Sequence, residues 1–361
     1  MKLNDSIHAL YSELTTRGNP FCYPFTYTEA DCDFFDYIYK LIERYVNRVK
    51  KLDKDAITSL NHSFDGLPKD SRPTTQFDFL RDVDLLSGTI IEVLKDSYSN
   101  YPDDAYSKLR TFFDKVDFYY LKMLPQLSLK RGPLYRIRTD SIDLTNDGEL
   151  FHIPFEKRYL ISSQRYSFPG YPMLYLSGSL FTAWCEMNKP DLEGISYAKF
   201  EFKNEELFLD LSYPYLRTKN WEMYSLFVMY PLLMACMTRV NHSQAPFKPE
   251  YIFPQLMTKL VREHSSIFAG IVYMSNKLPE SYPITELSSR NFAVFTHNGI
   301  ARKGYDIDLA KRLQMTNIHT ITRNQVRESI SCFNNRYEID FGKLESFNES
   351  SFRDIRVSME V

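Results

Sequence analysis

One stretch of this chain puts polar groups where packing alone does not ask for them. It runs Gln164-Arg165-Tyr166-Ser167-Phe168-Pro169-Gly170-Tyr171-Pro172-Met173-Leu174-Tyr175-Leu176 and continues through Ser179 to Ala183-Trp184-Cys185-Glu186. The pattern reads as an arginine-bearing turn, then a strand, then a short helix. Tyr175 falls inside the strand. Glu186 falls near the helix's C-terminal end, where the dipole disfavours a carboxylate and a lysine would have been the stabilising choice. A site tolerates such local costs, whereas an element that only packs need not incur them. Guanidinium, phenol and carboxylate in one short segment are groups of proton-transfer and charge-stabilising chemistry.

Composition narrows that chemistry. The 361 residues include only 12 glycines, against 26 tyrosines and 27 phenylalanines. Neither G-x-G-x-x-G nor G-x-x-x-x-G-K-[ST] occurs, so a nucleotide would have to be held without a glycine loop. Lys and Arg total 44 against 46 Asp and Glu, a formal charge of -2 that lacks the basic excess of a nucleic-acid binder. Cys22, Cys32, Cys185, Cys236 and Cys332 are widely spaced and form no C-x-x-C pair. They read as free thiols in a reducing compartment, and no residues show metal-ligand spacing. No secretory signal is visible in MKLNDSIHALYSEL. The apolar run Leu226 to Met237 is about half of the roughly 20 residues a bilayer requires, and it contains Pro231. The expectation is a cytoplasmic protein without membrane spans.

The elements that must position the polar segment follow from periodicity. Apolar positions at helical spacing predict front helices over about 28–52, 74–97 and 102–123, with Thr28 and Asp31 suiting the first helix start. Beyond Leu129 the texture becomes α+β. Strands are expected at 134–138, 173–177, 195–202, 207–211, 268–274 and 292–296, and helices at 179–187, 221–240 and 254–264. The resulting organisation is a helical N-terminal domain over 1–128, an α+β domain over 129–345 and a C-terminal tail over 346–361. His152 reads as a satisfied core histidine. Cys185 reads as packing, because no histidine is spaced to activate it.

Several fragments, in order, resemble the RES-domain family. They are Tyr135-Arg136 in a strand, Arg165-Tyr166, Gly170-Tyr171-Pro172-Met173-Leu174-Tyr175-Leu176, Ala183-Trp184-Cys185-Glu186, Gly270-Ile271-Val272-Tyr273-Met274-Ser275 and Asn291-Phe292-Ala293-Val294-Phe295. The resemblance spans roughly Leu134 to Phe295, with two departures. Gln164 stands where the family has glycine, and Ala269 where it has an acid.

What the resemblance implies is an ADP-ribosyltransferase-like mixed-sheet fold that cleaves the nicotinamide-ribose bond of NAD+. NAD+ is then a consumed substrate rather than a retained cofactor. Glu186 would stabilise the oxocarbenium-like ribose, as a carboxylate does in glycoside cleavage. Arg136 and Arg165 would clamp the pyrophosphate. Tyr175 would face the nicotinamide, and Ser275 would hydrogen-bond the ribose or orient the acceptor. Water, phosphate and a protein side chain are all open as acceptors, giving glycohydrolysis, phosphorolysis or ADP-ribosylation. A non-enzymatic nucleotide-sensing or partner-binding module is a further alternative. The implied setting is a growth-arresting toxin or defence effector, with an antitoxin or other regulatory protein, or a second copy, as partner. The front helices resemble HEPN bundles, yet His8 and His62 lack an arginine at the R-x4-6-H nuclease spacing, and Arg290 and His297 meet it only across a predicted strand.

Overall fold

A computed structural model of the chain describes residues 4–28, 33–65, 78–99, 102–114, 124–130, 132–212, 219–263, 267–283, 286–297, 302–333 and 336–358. In chain order the helices are α1 (Asp5–Thr15), α2 (Phe34–Val49), α3 (Lys54–Asn61), α4 (Phe79–Tyr98), α5 (Pro102–Asp114), α6 (Leu180–Glu186), α7 (Asn220–Met237), α8 (Ile252–Glu263), α9 (Ile307–Arg312), α10 (Arg323–Glu328) and α11 (Phe341–Ser346). The strands are β1 (Gln126–Leu129), β2 (Leu134–Arg138), β3 (Met173–Ser177), β4 (Ser196–Phe202), β5 (Glu206–Leu211), β6 (Gly270–Met274), β7 (Arg290–Phe295), β8 (Leu313–Met315), β9 (His319–Thr320), β10 (Ile330–Phe333), β11 (Arg336–Ile339) and β12 (Arg353–Asp354). The chain is therefore α+β.

It divides into two units whose boundaries differ from the expected ones. The first comprises Met1–Pro125 together with Asp210–Leu260, and the second Gln126–Leu209 together with Val261–Val361. The segment after β5 joins the helical unit because α7 is apolar on every side, and a helix of that kind must be enclosed by others. Its residues from Met223 to Met237 are all buried. Polar anchors fix it: the Tyr224 hydroxyl donates to Asp82 at 2.6 Å, and the Tyr45 hydroxyl donates to the Phe227 carbonyl at 2.7 Å. No helix among the described residues is long and apolar enough to cross a membrane.

Of the expected front helices, the first two begin later than periodicity suggests and the third begins at Pro102 as expected. Asp33, rather than Thr28, caps α2 by accepting from the Asp36 amide, and Asp78 caps α4 through the Arg81 amide. Asp and Ser side chains satisfy orphan helix donors directly, so the local acid decides the start. The expected continuation from 115 to 123 lies outside the described residues.

The second unit is built on one sheet, in the order β1-β5-β6-β7-β3-β2-β4-β8-β12, with β9 beside β4. Antiparallel register sets its two faces, since directly opposed residues point to the same side. Leu174, Leu176, Phe292 and Val294 lie in the larger core with Ala198 and Phe200. The other face carries Tyr175 opposite Ala293 and Ser177 opposite Asn291. There α6 packs through Leu180 and Ala183 onto Tyr135, Ile137 and Tyr197. The sheet is narrowest at a seam between β2 and β3, where Tyr135 opposite Ser177 is the register pair. The described residues of the expected C-terminal tail, 346–358, are part of this unit. β12 pairs with β8, and Arg353 grips the buried Asp147 with two bonds of 2.6 and 2.7 Å. Arg290 and His297 bracket β7, which sets them roughly 20 Å apart at strand spacing.

His152 is buried and held in one tautomer: Nδ1 donates to the Ile153 carbonyl at 2.8 Å, and Nε2 accepts from the Asp306 amide at 2.8 Å. Burial pushes the ring down to about 4. An unfolded histidine takes up its proton near pH 6.5, while the folded ring stays neutral until about pH 4. Stability is thus lost as pH falls through that window, by about 3 kcal/mol. Denaturant unfolding of the wild type and of His152→Gln from pH 7 to 4 should show that component of the slope only in the wild type.

Candidate active site

Glu186 is the last residue of α6 and is half-buried. Its carboxylate is held from two strands. Ser275, one residue beyond β6, donates from Oγ to Glu186 Oε1 at 2.6 Å, and Asn291 in β7 donates from Nδ2 to the same oxygen at 2.6 Å. Asn291 is itself oriented by the Ser177 hydroxyl, which donates to its Oδ1 at 2.7 Å. Glu186 Oε2 makes no hydrogen bond among the described residues, so one carboxylate oxygen is anchored and the other is available. The Ser275 hydroxyl proton is committed to Glu186. That makes Ser275 part of the carboxylate's support.

Tyr175 leaves β3 on the same face as Asn291 and Ser177. Its hydroxyl donates to Ser167 Oγ at 3.0 Å, tying the strand to the arginine turn. The turn forms with Gln164 at its first position. Gln164 and Ser167 exchange both backbone hydrogen bonds, at 3.0 and 3.3 Å, around Arg165 and Tyr166, and neither central residue needs a left-handed conformation. Ala269 likewise fits its place: its backbone bonds to Leu207 and Phe295, and its side chain is buried in the apolar core where a carboxylate would be unsolvated.

Tyr273 sits at the middle of these groups. Its ring lies 4.5 Å from that of Tyr166, and burial pushes its hydroxyl well above the usual phenol range. The charges of Glu186, Tyr175 and Tyr166 add to that rise, and Arg165 opposes it. Glu186, Tyr175, Ser275 and Arg165 are thereby brought into one neighbourhood, with Tyr166, Tyr273 and Asn291 as members that the polar segment alone did not single out.

Arg136 stands apart from them. It is paired with Ala198, whose side chain belongs to the larger core, so Arg136 enters the sheet at the seam rather than on the Glu186 face. Its Nη1 donates to the Tyr175 carbonyl at 2.8 Å, replacing a backbone rung between β2 and β3. Nε is shielded from solvent and has no partner. Burial, with the neighbouring Arg138 charge, lowers the guanidinium to about 9. A shielded cation without a paired acid is costly, and an anion reaching the seam would relieve it.

Among the described residues no group of three or more His, Cys, Asp or Glu could hold a metal ion. Cys185 precedes Glu186, but burial raises its thiol to about 11, which removes it as a nucleophile at neutral pH.

No family model matches the chain. Over 207 residues it is 32% identical to a Bacillus subtilis (strain 168) protein named "Putative toxin YopC". The alignment covers 52% of this chain and 47% of that relative, so the chain spans about half the relative's length. A solved structure, the M. tuberculosis MbcT-MbcA toxin-antitoxin complex, aligns with 58% of this chain and 93% of its own at a TM-score of 0.33 and 11% identity.

The thiols provide a test of burial here. Iodoacetamide at pH 8 should modify the exposed Cys332 quickly and leave Cys185 unlabelled until the protein unfolds, as read by peptide mass spectrometry.

Proposed function

We propose that the second unit cleaves the nicotinamide-ribose bond of NAD+, and that the protein acts as a toxin or defence effector. The observation that carries the reading is the half-anchored carboxylate of Glu186, one oxygen fixed by Ser275 and Asn291 and the other not held by them. In this reaction the C–N bond breaks heterolytically, and its electron pair leaves with the nicotinamide nitrogen. The ribose is left with oxocarbenium character, and an acceptor then adds to C1 and loses its proton. A carboxylate fixed before the charge develops lowers the barrier without reorganising. Tyr175 offers an aromatic face for the departing ring. Arg165 at its turn, and Arg136 at the seam with its Nε unpaired, supply cations for the pyrophosphate without a glycine loop.

The fold this reading supposes is ADP-ribosyltransferase-like, and the toxin role is supported by the relative's name and by the order of the RES-like fragments. An antitoxin that covers the site, or another regulatory protein, belongs to the same reading. NAD+ is consumed and no cofactor is retained.

Incubating the full chain with NAD+, with and without phosphate, and separating the products tests the proposal. Free nicotinamide is expected, accompanied by ADP-ribose, by its 1-phosphate, or by label on protein according to the acceptor. Glu186→Gln should slow release by about 100-fold or more, the scale on which fixed electrostatic groups act. Release that persists unchanged in that variant sinks the assignment. On the Glu186→Gln background, calorimetric titration of Arg165→Ala with NAD+ should show affinity weaker by about 1.5–3 kcal/mol, the worth of a hydrogen bond to a charged group.

A further inference from the structure

Helix α6 spans only Leu180–Glu186, too short to hold its own shape. Both of its ends are gripped by charges that complement the helix dipole. At the N-terminal end the Leu180 amide donates to Glu345 Oε1 at 3.0 Å. The other oxygen of Glu345 accepts from the Tyr135 hydroxyl at 2.9 Å, which ties the carboxylate to β2. Glu345 belongs to α11, and α11 packs Phe341 against Phe181 and Trp184, with ring centroids 5.0 and 5.2 Å apart. At the C-terminal end the Lys277 ammonium donates to the Glu186 carbonyl at 2.5 Å and to Asn188 Oδ1 at 2.9 Å.

The backbone beyond Glu186 needs that support. Asn188 and Lys189 both take left-handed conformations, at φ 63° and 55°. Two consecutive non-glycine residues in that region are strained, and such strain persists where neighbours enforce it. Lys277 also stands two residues after Ser275. One short segment therefore holds Glu186 twice, by the carboxylate through Ser275 and by the carbonyl through Lys277.

We propose that Lys277 and Glu345 are positioning residues that clamp α6 from opposite ends and so place the Glu186 carboxylate against Ser275 and Asn291. The inference rests on the reading of Glu186 as the reacting carboxylate, and goes beyond it by naming what fixes that group. Neither residue touches the open oxygen, so their effect falls on the geometry of the reacting complex rather than on ground-state binding.

The test uses the full chain with Lys277→Met, Lys277→Arg and Glu345→Gln. Lys277→Met and Glu345→Gln are expected to lower kcat for nicotinamide release by about 10- to 100-fold with KM within about threefold, as a misplaced catalytic group does. Lys277→Arg, which keeps a cation in reach of the carbonyl, should recover most of the loss. Hydrogen-deuterium exchange of the peptide containing 180–187 should rise about tenfold in Lys277→Met and Glu345→Gln, reporting the released helix whether or not the protein turns over NAD+. Unchanged exchange in those two variants overturns the clamp, as does a kcat within twofold of wild type. A wild type that releases no nicotinamide while the variants raise exchange overturns the NAD+ reading and supports the clamp on α6.

Discussion

The carboxamide of Asn291 is the joint on which the site depends. Its oxygen takes the Ser177 hydroxyl from β3 and its nitrogen gives to Glu186 at the end of α6, so one side chain on β7 fixes a strand and a helix together. An amide with both ends engaged can turn only by breaking two bonds at once. The orientation of Glu186 is therefore inherited from the register of β3 on β7. A slip of one residue in that pairing would send Asn291 to the opposite face of the sheet and leave the carboxylate without its second donor.

The seam between β2 and β3 is the other constraint. Backbone pairing of the strands on either side is continuous over several residues, with five register pairs of β3 with β7 and five of β2 with β4. At the seam the Arg136 guanidinium stands in for a rung. That substitution keeps the two halves of the sheet joined while holding a half-buried cation between them.

Much of this was legible from residue order. The limits of β2 and β3 follow from short apolar alternation between turn residues, and α6 from Ser179, whose hydroxyl caps the Thr182 amide. The oddly placed Glu186 and Tyr175 mark a stretch that the fold gathers with Ser275 and Asn291. Other parts carried no local signal. β8, β9 and β12 are two or three residues long, below the length at which alternation can be read, and exist because the sheet supplies their partners. Lys277 looks like any loop lysine, and Glu345 lies 165 positions after the amide it caps. Arg136 looked equivalent to Arg165; only the register with Ala198 separates them. Asn291 stood in the closing motif, but a motif position does not reveal which group its amide will hold.

The division of the chain has a consequence for how it can be taken apart. Strands β5 and β6 are neighbours in the sheet, yet the chain between them leaves to complete the helical unit and then returns. Closing so long an excursion adds little entropy cost compared with a shorter loop. It does mean that no single cut separates the two units. A fragment starting at Gln126 would still carry the largely apolar α7, stripped of the Tyr45 and Asp82 side chains that hold it, and would present a sticky helix to solvent. Clean dissection needs two breaks and a bridge: the excursion within residues 210–260 excised, and the chain on either side of it rejoined by a linker.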